Sequence, residues 1–168
     1  MVPPTQTLVL DTNCWIDYYV GMRPKSKAMA KLIGYSFAND IKLCYPACII
    51  KDVFYLVASE IKRICREEKG SLSENDAAIA NETAWSSINH MRENAFAVGI
   101  GQSDIWLAAK NRCINSDFED NLVIAAAERV NGAKLVTSDL GLISHSTVAS
   151  LTPEDALLYL KSQRSTGE

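Results

Sequence analysis

The sequence predicts an α/β fold built on a parallel sheet, and three observations carry that reading. A short apolar run at 8–10, and a stretch at 133–136 that is apolar but for Lys134, read as buried strands. Segments with helical spacing of apolar residues separate the strands, so neighbours run in one direction with crossovers of one hand. An apolar strand followed by an aspartate and a hydroxyl residue occurs twice, at Asp11 with Thr12 and at Thr137 with Asp139.

The first strand is expected over 6–10, with Asp11 at its carboxyl end, where open α/β sheets gather ligands. A carboxylate is costly to bury there without a cation or donors, which points to a metal site. The plainer alternative is that Asp11 or Thr12 caps the next helix, expected over 13–19 and ended near Gly21. After a basic loop at 22–27, Ser26 caps a helix carrying Ala28, Met29, Leu32, Ile33 and Phe37 at helical spacing. Asn39 and Asp40 turn the chain into a second strand, 41–45. A long helix over 47–68 follows, with Ile50, Val53, Phe54, Val57 and Ile61 as its apolar stripe. Asp52 falls in its first two turns, near the sheet edge that holds Asp11. Glu60 is eight residues further on, about 12 Å along the axis, and is a poorer partner for Asp11.

Ser73 is the expected cap of the next helix, with Asp76 in the capping-box position, and this helix packs through Ala84, Ile88 and Met91. A third strand is expected over 96–99. Residues 102–104 then open a helix with Ile105, Trp106, Leu107 and Ala108 inward and Asp104 as a first-turn partner of the helix dipole. Asn115 or Ser116 caps a helix starting at Asp117. Asp117 and Asp120 are three apart and share a face, while Glu119 points elsewhere. Leu122, Val123, Ala125, Ala126 and Ala127 allow close packing on the sheet, and Gly132 stops the helix before the strand at 133–136. A short strand is expected over 147–150. Thr152, Pro153, Glu154 and Asp155 open a terminal helix that packs through Leu157, Leu158 and Leu160 and frays over 162–168.

The length, 168 residues, suits a single domain over 1–168, with an acidic site built from 8–142 and a C-terminal strand and helix over 147–163. No apolar run approaches the roughly 18 residues of a membrane span. The opening MVPPTQ lacks the basic and apolar regions of a signal peptide, so a cytoplasmic chain without a membrane partner is expected. Five cysteines, an odd number with no CxxC pair, read as reduced thiols rather than a zinc or disulfide framework. His90 and His145 are too distant for a histidine metal site. A net charge of −3 gives no global basic footprint for nucleic acid. The local clusters Arg23, Lys25, Lys27, Lys31 and Lys62, Arg63, Arg66 read equally well as solvated helix faces.

Four aspartates, Asp11, Asp52, Asp120 and Asp139, fall where strands end or helices begin, and a parallel sheet brings such positions to one edge. Clustered carboxylates raise one another's pKa unless a cation sits among them. All-oxygen ligands suit Mg2+ or Mn2+, and such an ion supports phosphodiester hydrolysis by an activated water. Asn13 and Thr137 stand where they can orient ligands or substrate by hydrogen bonding.

The stretches LVLDTNCWID, PACIIKDVFYL, DFEDNLVIAAAERVNGA and KLVTSD, in this order and at strand ends, resemble the PIN-domain ribonuclease family, in particular small prokaryotic toxins of the VapC-like kind. The resemblance covers about 8–142. It implies a three-layer α/β/α fold with a parallel sheet of about five strands, and a Mg2+- or Mn2+-dependent endoribonuclease. Asp11 matches the family's first acid and Asn13 the polar residue two positions on. Asp52 takes the place of the second acid, which is more often glutamate. Asp120 matches the third acid, with Asp117 a further candidate one turn earlier, and Asp139 matches the fourth, with Thr137 its hydroxyl neighbour. On this reading Asp11 and Asp120 are direct metal ligands with Asp52 close by, RNA is the substrate, an antitoxin protein is a partner, and the chain forms a homodimer. The helices at 28–37 and 52–64 carry apolar stripes that could offer the antitoxin a groove, although most of those residues read as core.

Two rival classes remain at this level. A haloacid-dehalogenase-type phosphatase also opens with a strand and an aspartate, but its second aspartate two residues on is replaced here by Asn13. A catalytically idle PIN-like nucleic-acid-binding or scaffolding module would keep the same acids as helix caps. A dinucleotide enzyme is disfavoured, because no GxGxxG follows the first strand.

Overall fold

A computed structural model describes residues 6–165, with the side chain of Ser165 left aside. The opening 1–5 and the end of the expected frayed tail, 166–168, lie outside the described residues. The strands are β1 (Thr7–Leu10), β2 (Lys42–Pro46), β3 (Phe96–Val98), β4 (Lys134–Val136) and β5 (Ser150–Leu151). The helices are α1 (Thr12–Tyr19), α2 (Ser26–Ala38), α3 (Ile50–Lys69), α4 (Glu74–Asn94), α5 (Gln102–Lys110), α6 (Phe118–Arg129), α7 (Leu140–His145) and α8 (Pro153–Ser165).

All four strand pairings are parallel, in the order β3-β2-β1-β4-β5. The layers are α/β/α, as the sequence predicts. β1 is central, with Leu8 facing Leu43 on one side and Lys134 on the other. Leu8, Val9, Leu10, Leu135 and Val136 have no exposed surface, which is why β1 reads as a continuous apolar run and β4 as an apolar pair after Lys134. The chain builds outward from β1 through β2 to β3, then crosses to the other side for β4 and β5. The strand order therefore reverses between β1 and β4, and a crevice opens at their carboxyl ends. Asp11 follows β1 there, and Thr137 to Asp139 follow β4.

Several elements depart from expectation for local reasons. Ser26 is not the cap of α2. The bond from Met29 N–H to the Lys25 carbonyl starts the ladder one residue earlier, and Ser26 is buried within the first turn. Ile105 and Trp106 face outward, 43% and 63% exposed, because α5 buries Asp104 and Ala108 instead, one turn apart. The Lys110 ammonium covers part of the Trp106 ring at 5.2 Å. Leu158 is likewise exposed, since α8 packs through Ala156 and Leu160. The last strand begins at Ser150 rather than 147, because hydroxyls of Ser146 and Ser150 both turn back onto the Val148 carbonyl and hold that stretch in a local turn. Ser73 and Asp76 form the capping box that the sequence predicts. Among the described residues no helix is long and apolar enough to cross a membrane.

Candidate functional site

At the crevice between β1 and β4 lies an open cleft with about 230 Å³ of water-accessible space, lined by Asp11, Asn13, Asp117, Glu119, Asp120 and Asp139 among others. Five of these six are carboxylates, and no lysine, arginine or histidine lines it. Asp11 is 7% exposed. Its Oδ1 accepts the Thr12 N–H at 2.6 Å, and its Oδ2 accepts from Asn13 Nδ2 at 2.9 Å and Thr137 Oγ1 at 2.8 Å. It is thus the N-cap of α1 and also an immobilised carboxylate on the cleft wall. Asn13 donates to Thr137 Oγ1 at 3.0 Å and accepts the Ser138 N–H at 3.0 Å, which fixes the orientation of its amide.

The other acids are presented by helix N-termini. Asp117 caps α6, its Oδ1 accepting from the N–H groups of Glu119 and Asp120. Asp139 caps α7 in the same way through Gly141 and Leu142. Among the described residues the second oxygen of each of these caps has no protein donor. Asp120 Oδ2 accepts from Asn115 Nδ2 at 3.1 Å, and the Glu119 carboxylate has no hydrogen-bond partner among the described residues.

The electrostatics follow from this crowding. Burial raises the pKa of Asp11 above its ordinary value of 3.8; the bonds from Thr137 and Thr12 oppose that, and the charges of Asp120 and Asp139 add to it. Asp120 is raised by burial and by Asp117 and Asp139, with Asn115 and His145 pulling the other way. Glu119 is raised by burial, then by the charges of Asp52, Asp117, Asp11 and Asp120.

Of the residues singled out from the sequence, Asp11, Asn13, Asp117, Asp120 and Asp139 line one cleft, with Thr137 directly behind Asp11. Asp52 does not line it; it stands at the margin, with the Lys51 ammonium 3.3 Å from its Oδ1. Glu119, expected to point away, does line it. The sequence places Asp117 inside the helix, but Asp117 is the cap, so Glu119 and Asp120 are both first-turn residues around a helix end aimed at the cleft. Acids two and three residues beyond a capping Asp are the signal that could have revealed this.

The donor set suits a hard divalent cation: carboxylate oxygens in surplus, without a counter-charge. The hydroxyl of Thr12, beside Asp11 on the cleft wall, is buried with no hydrogen-bond partner among the described residues. Among the described residues no three carboxylate, His or Cys side chains already stand as a closed metal cage, so the fit is one of donor chemistry and charge.

A family model described as PIN domain matches residues 7–141. Among solved structures, a chain of the crystal structure of VapBC2 from Rickettsia felis, bound to a DNA fragment from their promoter, is similar at 11% identity and a TM-score of 0.58. The alignment covers 88% of this chain and 98% of that one, and at such identity the likeness is one of fold. No curated protein sequence matches.

Proposed function

This chain belongs to the PIN-domain family, and from that premise we propose that it is a metal-dependent endoribonuclease, the toxin of a toxin–antitoxin pair. The observation that carries the reading is the five-carboxylate cleft at the β1–β4 crevice, with no cation among its lining residues. Asp11 and Asp120 would hold Mg2+ or Mn2+, with Asp117 and Asp139 offering the free oxygens of their caps and Asp52 at the margin. When bound, the ion would neutralise phosphate charge and acidify water. Thr137 and Asn13 keep Asp11 oriented. Glu119, without a donor among the described residues and raised by burial and neighbouring acids above its ordinary pKa, is suited to take the proton of the attacking water. A soluble cytoplasmic chain, an antitoxin that covers the cleft and a homodimer complete the proposal, the first following the sequence reading and the other two the family.

A second reading is a catalytically idle module that binds nucleic acid or acts as a scaffold. The observation on its side is that Asp11, Asp117 and Asp139 all serve as helix caps, which alone would account for their presence.

The deciding experiment is cleavage of a mixed RNA pool by the pure protein with Mg2+, with Mn2+ and with EDTA, beside Asp11→Asn. Asparagine caps a helix as well as aspartate does, so the variant folds; its cleavage falls about 100-fold or more. Equal cleavage by the folded variant removes the mechanism. A protein that cuts nothing and binds Mn2+ no better than a variant lacking Asp11 and Asp120 is the idle module.

A further inference from the structure

We propose that Arg23, Asp17 and Ser138 are positioning residues that hold Asn13, and through it Asp11, in register with the cleft; this rests on Asp11 being part of the reacting site. Asp17 is 2% exposed and lines no part of the cleft, so its buried charge needs another account. It lies one turn after Asn13 on the same face of α1. Both side chains grip the same residue of the β4–α7 loop: Asn13 Oδ1 accepts the Ser138 N–H at 3.0 Å, and Asp17 Oδ2 accepts the Ser138 hydroxyl at 3.4 Å. Ser138 is thus held at its backbone and at its side chain by one helix. Its N–H leaves the amide of Asn13 only one way round, with the NH2 toward Asp11 and Thr137.

A carboxylate this deep is tolerable only with a cation in good geometry. Arg23, in the turn between α1 and α2, supplies it, with Nε 2.5 Å from Asp17 Oδ1. The Arg23 N–H in turn binds the Val20 carbonyl, which anchors that turn to the end of α1. A half-buried arginine is in this way connected through Asp17, Ser138 and Asn13 to Asp11. The 3.4 Å contact is the longest link and the one to test.

The test measures Mn2+ affinity by electron paramagnetic resonance, with kcat and KM on an RNA that the wild-type protein cuts, for Arg23→Gln, Ser138→Ala, the double variant and Arg23→Lys. Each single variant weakens Mn2+ binding by about 10-fold, the lower end for groups that orient a ligand. The double variant is no weaker than the worse single one, because the two act along one line. Arg23→Lys restores most of the loss, since it returns the charge without the planar fork. Wild-type Mn2+ affinity in the folded single variants, or losses that multiply in the double, overturns the relay. Ser138→Ala removes one hydroxyl from a half-buried position, so it decides the matter alone if Arg23→Gln does not fold. A wild-type protein that binds Mn2+ and cuts no RNA overturns the nuclease reading while the relay is still judged by metal affinity. One that does neither removes both.

Discussion

Thr137 Oγ1 donates to Asp11 Oδ2 at 2.8 Å across 126 residues of sequence, joining the ends of the two strands between which the sheet order reverses. The same oxygen accepts from Asn13 Nδ2 and from the Asp139 N–H at 3.1 Å. One fully buried hydroxyl therefore sets three groups of the cleft wall.

Thr137→Val keeps the shape and removes that hydroxyl. Asp11 loses a donor that holds its pKa down, so its carboxyl moves further above the ordinary range, and two partly buried donors, Asn13 Nδ2 and the Asp139 N–H, lose their acceptor. The expected cost is about 1–3 kcal/mol in urea denaturation, together with weaker Mn2+ binding. Thr137→Ser returns the hydroxyl and is expected to recover both. Equal denaturation midpoints for Thr137→Val and wild type would show that the hydroxyl sets nothing.

The cleft acids make stability fall as pH rises. Asp11, Glu119 and Asp120 all bind their protons more tightly in the folded chain than in the unfolded one. Their contribution is fully present below the ordinary values of 3.8 for aspartate and 4.5 for glutamate, and it is lost as pH climbs through the raised values. Asp76 has the opposite sign: its ion pair with Lys69 and its bond from Ser73 lower it to about 2, so its contribution holds above 3.8 and fades as pH falls toward 2. Denaturation midpoints followed from neutrality down toward the ordinary carboxylate range should rise in the wild type and rise less in Asp11→Asn. Mn2+ at 100 times its Kd should add about 2.7 kcal/mol at neutral pH and less as the acids protonate. Identical pH slopes in the two proteins would refute the electrostatic account.

Ser73 tests the fold apart from the site. Its Oγ accepts the Asp76 N–H at 3.1 Å and donates to Asp76 Oδ2 at 2.7 Å, closing the start of α4. Ser73→Ala should cost about 1 kcal/mol and leave RNA cleavage and Mn2+ affinity unchanged, because neither residue lines the cleft. A loss of cleavage with unchanged stability would tie α4 to the chemistry in a way the structure does not suggest.

What could be read from the sequence was what local chemistry decides. β1 and β4 were legible because burial on both faces leaves their centres apolar, Leu8 to Leu10 in one and Leu135 with Val136 in the other. The Ser73–Asp76 box was legible because all its partners lie within four residues. The convergence of Asp11, Asp120 and Asp139 followed from strands that run in parallel. The orientation of Glu119 was hidden because it depends on where α6 starts. A shift of one residue between cap and first turn changes which side chains surround the helix end. Trp106 was misjudged because helical spacing alone does not say that α5 turns Asp104 inward, where Arg129 Nη1 meets it at 2.7 Å. The link from Asp17 to Ser138 spans 121 residues, and no periodicity reports a contact of that kind.

The contrast between Asp52 and Glu119 yields the sharpest prediction. Both are near the cleft, and the charge of Asp52 is the largest single electrostatic influence on Glu119. Only Glu119 lines the cleft, and only Asp52 has a lysine, Lys51, beside it at 3.3 Å. An ion pair between sequence neighbours with its lysine exposed contributes little to stability, so Asp52→Asn should fold normally. Its effect on chemistry should run through Glu119: burial, the larger cause of its raised pKa, stays, but with the Asp52 repulsion gone the pKa moves part of the way toward its ordinary value and the acid limb of the cleavage profile moves to lower pH. Glu119→Gln removes the base itself and should lower kcat by about 100-fold, within the range for loss of general base catalysis. If instead Asp52→Asn abolishes cleavage while Glu119→Gln is mild, the second acid is Asp52, as the family resemblance implies, and α3 must bring it closer to Asp11 when metal or RNA binds.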